Sequence, residues 1–441
     1  MALPSPCCTF TIPSVYDELR LDCRIYHSPQ LQRQRSTSDA LGTSGSSTRA
    51  TWRKRAAIIA HPYAPLGGCY DDPIVSIVAS ELFQAGYVVG TFNFRGAAGS
   101  EGRTSWTAKP ELADYISFYG FMIYYLSGLD VDYYEQQGAS TEQSDSAGSC
   151  MEENEAAATA GELHIVLAGY SYGSMIASRL PTVEIVCDLF ATTTATSAEE
   201  EEKKSPMAEI VSKARELAAL WNVGYRSAND TTELSSLPTS ESTTRSASSQ
   251  RVSMGSGSEP GSGRQSGKDG RRRRSRRRST LGGIGRSLER SGKKLRARFE
   301  PSSDEVGAIE SQSRSTEEVQ EALIPTISYL LISPILPPIS SLATMSFFAS
   351  RTNLDTIIQG KPVKAGIPDT ELITHQTLAI YGSNDIFTSA KKLQTWAGQL
   401  AAKPGSHFRF EEVENAGHFW HERGTGTEMR RVVREWAGSV E

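Results

Sequence analysis

The chain has 441 residues, 38% of them hydrophobic, and 46 Lys+Arg against 51 Asp+Glu give a formal net charge of −5. That length fits up to three domains, or one large α/β domain with insertions, and the apolar share falls below the roughly 45–50% of ordinary globular chains, so a packed core plus much unpacked sequence is expected. The near-neutral total excludes a uniformly basic or acidic protein, but it averages two objects: residues 264–298 carry 15 Lys+Arg and two Asp+Glu, net +13, and the remainder carries −18.

Along the chain, β-branched and apolar runs predict strands at 8–13, 19–27, 56–61, 87–94, 163–169, 326–333, 376–382 and 407–413. The later runs are almost continuously apolar, as in Ala56-Ala57-Ile58-Ile59-Ala60 and Ile165-Val166-Leu167-Ala168. That pattern marks strands buried on both faces, hence a mostly parallel sheet. Helices are predicted between them. One spans 73–85, where Asp72 caps, Pro73 takes the first position, and Ile74, Val78 and Leu82 share a face. Others span 388–400 and 425–438, and an amphipathic stretch at 206–222 carries Ile210, Ala214, Leu217 and Trp221 on one face. The fold class is therefore α/β, a doubly wound eight-stranded sheet, and ligands of such sheets sit at the carboxyl ends of the strands.

Three segments read as unfolded: 28–51, 135–160 and 224–318. They are too poor in apolar residues to offset the entropy of ordering. The organisation expected is one interrupted domain. Its first part is 1–190, its second 321–441, and 191–320 is an insertion between them.

The six cysteines are Cys7, Cys8, Cys23, Cys69, Cys150 and Cys187, with no C-x-x-C pair and no zinc-like spacing. No metal or organic cofactor is expected. The N-terminal residues lack a basic and apolar leader. The most apolar stretch, 322–348, is broken by Pro325, Pro334, Pro337 and Pro338, so it reads as strand and loop, not as a membrane span. The compartment expected is the cytoplasm.

Strand 163–169 runs into Gly169-Tyr170-Ser171-Tyr172-Gly173 and then a helix. This is G-x-S-x-G in a strand–turn–helix setting. Such a turn lifts a serine hydroxyl clear of the sheet, the glycines avoid collisions, and the helix start favours a developing oxyanion. The segment resembles the nucleophile elbow of the α/β-hydrolase superfamily. His61-Pro62-Tyr63, Pro65-Leu66-Gly67-Gly68, and Phe92-Asn93-Phe94-Arg95-Gly96 with Gly99-Ser100-Glu101-Gly102 are similar to loops of bacterial and fungal hydrolases in it. Its serine aminopeptidases and Xaa-Pro dipeptidyl-peptidases share this core. The likeness covers roughly 56–132, 161–190 and 323–441.

The resemblance implies a chain order of nucleophile, acid and base. Asp385, in Gly382-Ser383-Asn384-Asp385 after strand 376–382, is the acid expected; a turn or helix-capping role is the other reading. His418, in Asn415-Ala416-Gly417-His418-Phe419 after strand 407–413, is the base expected, with His421 next in line. His61 is expected to shape its loop. The oxyanion hole implied is made by the backbone N–H groups of Tyr63 and Tyr172, with Gly169 and Gly173 as the elbow glycines. A serine hydrolase cleaving an ester, thioester or amide of a small acyl substrate follows, with carboxylic esters favoured over peptides. The other function class is a non-catalytic scaffold acting through its insert.

Other features keep more than one reading. Arg95-Gly96 lines an entrance or makes a tight turn. Tyr115, Phe118, Tyr119, Phe121, Tyr124 and Tyr125 are core or a substrate wall. Helix 206–222 is a lid segment or packs on the domain. The arginine run 271–278 is a solvated linker, a kinase target at Ser275 and Ser279, or a nuclear-import or membrane-surface signal. It has too few aromatics to make a case for nucleic-acid stacking.

Overall fold

The computed structural model describes residues 3–31, 52–129, 163–191, 205–230, 324–337 and 354–440. All of them fall in one unit, Met1–Ser235 with Gln312–Glu441. Segment 135–160, most of 28–51 and 224–318, the run 271–278 with Ser275 and Ser279, and 338–348 lie outside the described residues.

The strands are β1 Cys8–Pro13, β2 Arg20–Tyr26, β3 Arg55–Ala60, β4 Val88–Phe92, β5 His164–Tyr170, β6 Thr326–Ile332, β7 Thr356–Ile358, β8 Lys361–Val363, β9 Gln376–Asn384 and β10 Phe408–Gly417. Eight of them form one sheet in the order β1-β2-β4-β3-β5-β6-β9-β10, while β7 and β8 form a separate hairpin. Strand β2 pairs antiparallel with both β1 and β4, and every other pair in the large sheet is parallel. The eight predicted strands are those of the large sheet.

The helices are α1 Pro73–Gln84, α2 Lys109–Ser127, α3 Tyr172–Ala177, α4 Val183–Ala191, α5 Pro206–Asp230, α6 Pro368–Thr374, α7 Ala390–Ala401 and α8 Thr425–Ser439. Helix α1 starts as the sequence predicts: the Asp72 carboxylate accepts the N–H of Ile74 at 2.8 Å, with Pro73 at the first position.

Side chains of a strand alternate between sheet faces, and β5 shows why its apolar run is continuous. Ile165 and Leu167 enter one core with Leu112, Phe118, Phe190 and Leu393. Val166, Ala168 and Tyr170 enter the other with Val78, Leu82, Met429 and Val433. Helices α1 and α8 thus cover one face, and α2, α4, α5 and α7 contribute to the other. Buried Glu81 clamps α1 to α8 through Arg430 at 2.7 Å and Arg434 at 2.8 Å.

Several elements depart from the sequence pattern. Helix α5 runs on to Asp230, so 224–230, expected to be unfolded, is helical. Leu31 is buried and its N–H donates to Ser28 Oγ, so 28–31 is packed as well. Strand β10 continues past 413 to Gly417, because exposed Glu411, Glu412 and Glu414 lie on the strand and hide its pattern. The β7–β8 hairpin, α4 and α6 had no prediction.

Arg95 makes a turn and does not line an entrance. It is 4% exposed and pairs with Asp114 at 2.6 Å and Asp17 at 2.8 Å, while a Cβ on Gly96 would press on the Arg103 backbone. All six α2 aromatics are buried. Helix α5 places Met207, Ile210, Val211, Ala214 and Ala218 in the same core as α2. No described helix is long and apolar enough to cross a membrane.

Candidate active site

Strand β5 ends on Tyr170, and the chain turns at once into α3. The turn residue, Ser171, has φ 57° and ψ −112°, a conformation that costs a non-glycine residue roughly 1–3 kcal/mol. The surroundings enforce it. Ser171 N–H donates to the Ile332 carbonyl at 2.8 Å, and Ser174 Oγ donates to the same carbonyl at 2.8 Å. A Cβ on Gly169 would stand 2.2 Å from the Gly173 carbonyl carbon, and one on Gly173 would stand 2.4 Å from the Ala60 oxygen. Only hydrogen fits at both places, and the turn is locked against β3 and β6.

Two further strand ends bring the polar partners. Beyond β9, Asp385 Oδ1 accepts the N–H groups of Phe387 at 2.8 Å and Thr388 at 3.0 Å. Its Oδ2 lies 2.7 Å from His418 Nδ1. His418 Nε2 lies 2.8 Å from Ser171 Oγ. Turn-former and imidazole partner are therefore both true of Asp385, one oxygen for each. His418 is 2% exposed and Ser171 6%, so water competes little for these bonds.

The His418 loop is held from several sides by residues that no spacing in the sequence marks. Gly417 N–H donates to Glu422 Oε2 at 3.0 Å, and that bond holds the Glu422 carboxyl below its ordinary pKa. Tyr170 Oη donates to the His418 carbonyl at 2.9 Å. Trp420 Nε1 donates to Ser333 Oγ at 3.0 Å. The Phe387 ring meets the imidazole edge-on at 4.4 Å between centroids. Exposed His421 stacks beside Phe419 and has no place in the Ser171 chain of bonds.

Tyr172 is the first residue of α3, so its N–H is one of those that a helix start leaves without an intrahelical acceptor. Tyr63 precedes a short 3-10 turn, Ala64–Leu66. Its carbonyl accepts the N–H of Leu66, and a Cβ on Gly68 would meet the Pro62 oxygen at 2.2 Å, so the loop is folded tightly on itself. The rings of Tyr63 and Tyr172 pack with centroids 5.1 Å apart. His61 shapes this region. Its Nε2 accepts the Phe94 N–H at 2.9 Å and its Nδ1 donates to the Pro62 carbonyl at 2.6 Å. Burial pushes its pKa down to about 4, so near pH 7 it is a neutral strut.

The sheet is that of the α/β-hydrolase fold. No protein-family model matches the chain, and no curated protein sequence matches it. Solved structures similar to it include an alpha-beta serine hydrolase homologue from Coxiella burnetii, at 12% identity over 98% of both chains and TM-score 0.39. A serine hydrolase without a lid from Xanthomonas campestris has 11% identity over 99% of this chain and 95% of its own, TM-score 0.38. Est1E from Butyrivibrio proteoclasticus with ferulic acid bound has 9% identity over 97% of both chains, TM-score 0.39. The strand order and directions of this chain, rather than these low scores, define its fold.

Proposed function

We propose that the chain is a serine hydrolase acting on esters, thioesters or amides of small acyl substrates, with carboxylic esters preferred. The observation that carries the reading is the continuous chain of hydrogen bonds from Ser171 through His418 to Asp385, at 2.8 and 2.7 Å. A serine hydroxyl attacks poorly unless a base takes its proton. His418 Nε2 is in position to take it as Ser171 Oγ bonds to the carbonyl carbon. The Asp385 carboxylate holds Nδ1–H, fixes the tautomer and stabilises the imidazolium that forms. The carbonyl oxygen becomes an oxyanion, for which the N–H groups of Tyr63 and Tyr172 are the donors. One such donor is worth about 10²–10³-fold in rate. His418 then returns the proton to the leaving group, and water repeats the sequence on the acyl-enzyme.

The test is labelling of the full chain with a fluorophosphonate probe. Wild type labels and Ser171→Ala does not. A wild type that stays unlabelled where other serine hydrolases label overturns the proposal.

A further inference from the structure

A cavity of about 900 Å³ lies among the described residues beside this site, a size suited to a small-molecule ligand. None of the three bonded residues lines it. Its apolar wall is built from Met175, Ile335, Leu336, Leu354 and Trp396. Two links join it to the site. Met175 follows Ser171 by four residues on α3, about 6 Å along a helix, and its N–H donates to the Ser171 carbonyl at 3.2 Å. On the other side, Leu336 N–H donates to Thr388 Oγ1 at 3.2 Å, and Thr388 N–H donates to Asp385. Two wall residues of the cavity are thus hydrogen-bonded to the turns that carry Ser171 and Asp385.

The polar part of the wall is unevenly charged. Lys391, Lys392 and Arg179 line it, with Asp355 and Asp369. The acids have other company: Asp355 Oδ1 accepts the Ala365 N–H at 2.9 Å, and Asp369 lies 3.9 Å from Lys403. Lys391 and Lys392 have no carboxylate partner among the described residues. They occupy the first turn of α7, which contains no acid. Both are exposed, and the helix dipole disfavours cations there.

We propose that this cavity takes the acyl arm of the substrate, and that the arm is an apolar chain ending in an anion. In chemical class the substrate is a half-ester of a medium-length dicarboxylic acid. The ester end reaches Ser171, the chain fills the cavity, and the free carboxylate meets Lys391 and Lys392. The assignment rests on the serine-hydrolase reading for the reaction but not for binding.

The test separates the two. Full-length Ser171→Ala protein is titrated calorimetrically with monomethyl azelate and with dimethyl azelate. The half-ester is expected to bind at least about tenfold tighter, each factor of ten being about 1.4 kcal/mol. Lys391→Ala/Lys392→Ala removes that preference, whereas Arg409→Ala, which deletes an exposed charge on β10, keeps it. Met175→Trp narrows the cavity and is expected to weaken both ligands, with the melting temperature followed as the check on folding, since added bulk at a buried position costs about 1–3 kcal/mol. Equal affinity for the two ligands, no binding of either, or a preference that survives the double lysine variant overturns the proposal. Fluorophosphonate labelling of the wild type without the preference leaves the hydrolase reading standing and ends this one. The preference without labelling ends the hydrolase reading and the acyl-arm role with it.

Discussion

Gly382 and Ala416 approach so closely that a Cβ on the first would stand 2.1 Å from the carbonyl oxygen of the second. Strands β9 and β10 are parallel neighbours that stay paired as far as Gly417 opposite Asn384, and this contact lies just before the ends that carry Asp385 and His418. The register shifts between Val413 and Gly417, with Asn415 at φ 61° and its N–H held by Ser383 Oγ at 2.8 Å. Bulges often re-aim a side chain beside a site. Gly382→Ala therefore forces the two ends apart. It is expected to slow fluorophosphonate labelling about 10²-fold, as displacements near 1 Å do, and to cost about 1–3 kcal/mol in urea unfolding. Labelling at the wild-type rate would show that the close contact does not set the Asp385–His418 distance.

Asp385→Asn separates folding from chemistry. An asparagine oxygen still accepts the Phe387 and Thr388 N–H groups, so the turn is retained and the melting temperature stays near that of wild type. The amide –NH₂ then faces His418 Nδ1 and favours the tautomer with the proton on Nε2, which cannot accept from Ser171. Turnover of p-nitrophenyl acetate is expected to fall about 10⁴-fold. A fall of only a few-fold would remove Asp385 from the proposed mechanism.

His61 links stability to pH. The folded chain binds its proton near pH 4, while the unfolded chain binds it near 6.5, the ordinary value. Between these values the unfolded state holds more protons, so this stabilisation is fully present above pH 6.5 and is lost as pH falls toward 4. Its size is about 3 kcal/mol at one pKa unit per 1.36 kcal/mol. His61→Gln is expected to flatten the urea-measured stability across that window. A wild-type slope that persists in the variant would assign it to other groups.

Gly398 lies inside α7, and a Cβ there would meet nothing within 4 Å. Interior glycine costs a helix roughly 1 kcal/mol relative to alanine. Gly398→Ala is expected to raise unfolding free energy by about that amount without changing labelling, which chemical denaturation measures directly.

Much of the fold was legible because burial on both faces writes itself into the sequence as unbroken apolar runs. Strands β3 and β5 are of this kind. The candidate site was legible for a related reason: Ser171, Asp385 and His418 each follow a strand whose end was readable, and the elbow needs glycines at fixed places. The β7–β8 hairpin was not, since its strands have three residues each and Ile357 is 66% exposed. The supports of His418 were also hidden. Glu422, Tyr170 and Ser333 act through contacts made by loop geometry, which no spacing encodes. The cavity joins Met175, Leu336 and Trp396 from three separate stretches of chain and had no linear signature.

The pairing at the centre of the sheet has a kinetic meaning. His164 on β5 bonds Ser328 on β6 at 3.0 Å across a sequence separation of 164 residues, and His418 reaches Ser171 across 247. Loop closure grows only as the logarithm of length, about 0.6 kcal/mol per doubling, so the intervening chain weighs little on equilibrium stability. It weighs more on speed, because non-local parallel pairings form slowly. During synthesis β5 is made long before β6 exists, and its β6-facing edge stays unpaired for that interval. Within this chain, the interval between translating β5 and β6 is when the nascent sheet is most open to wrong partners.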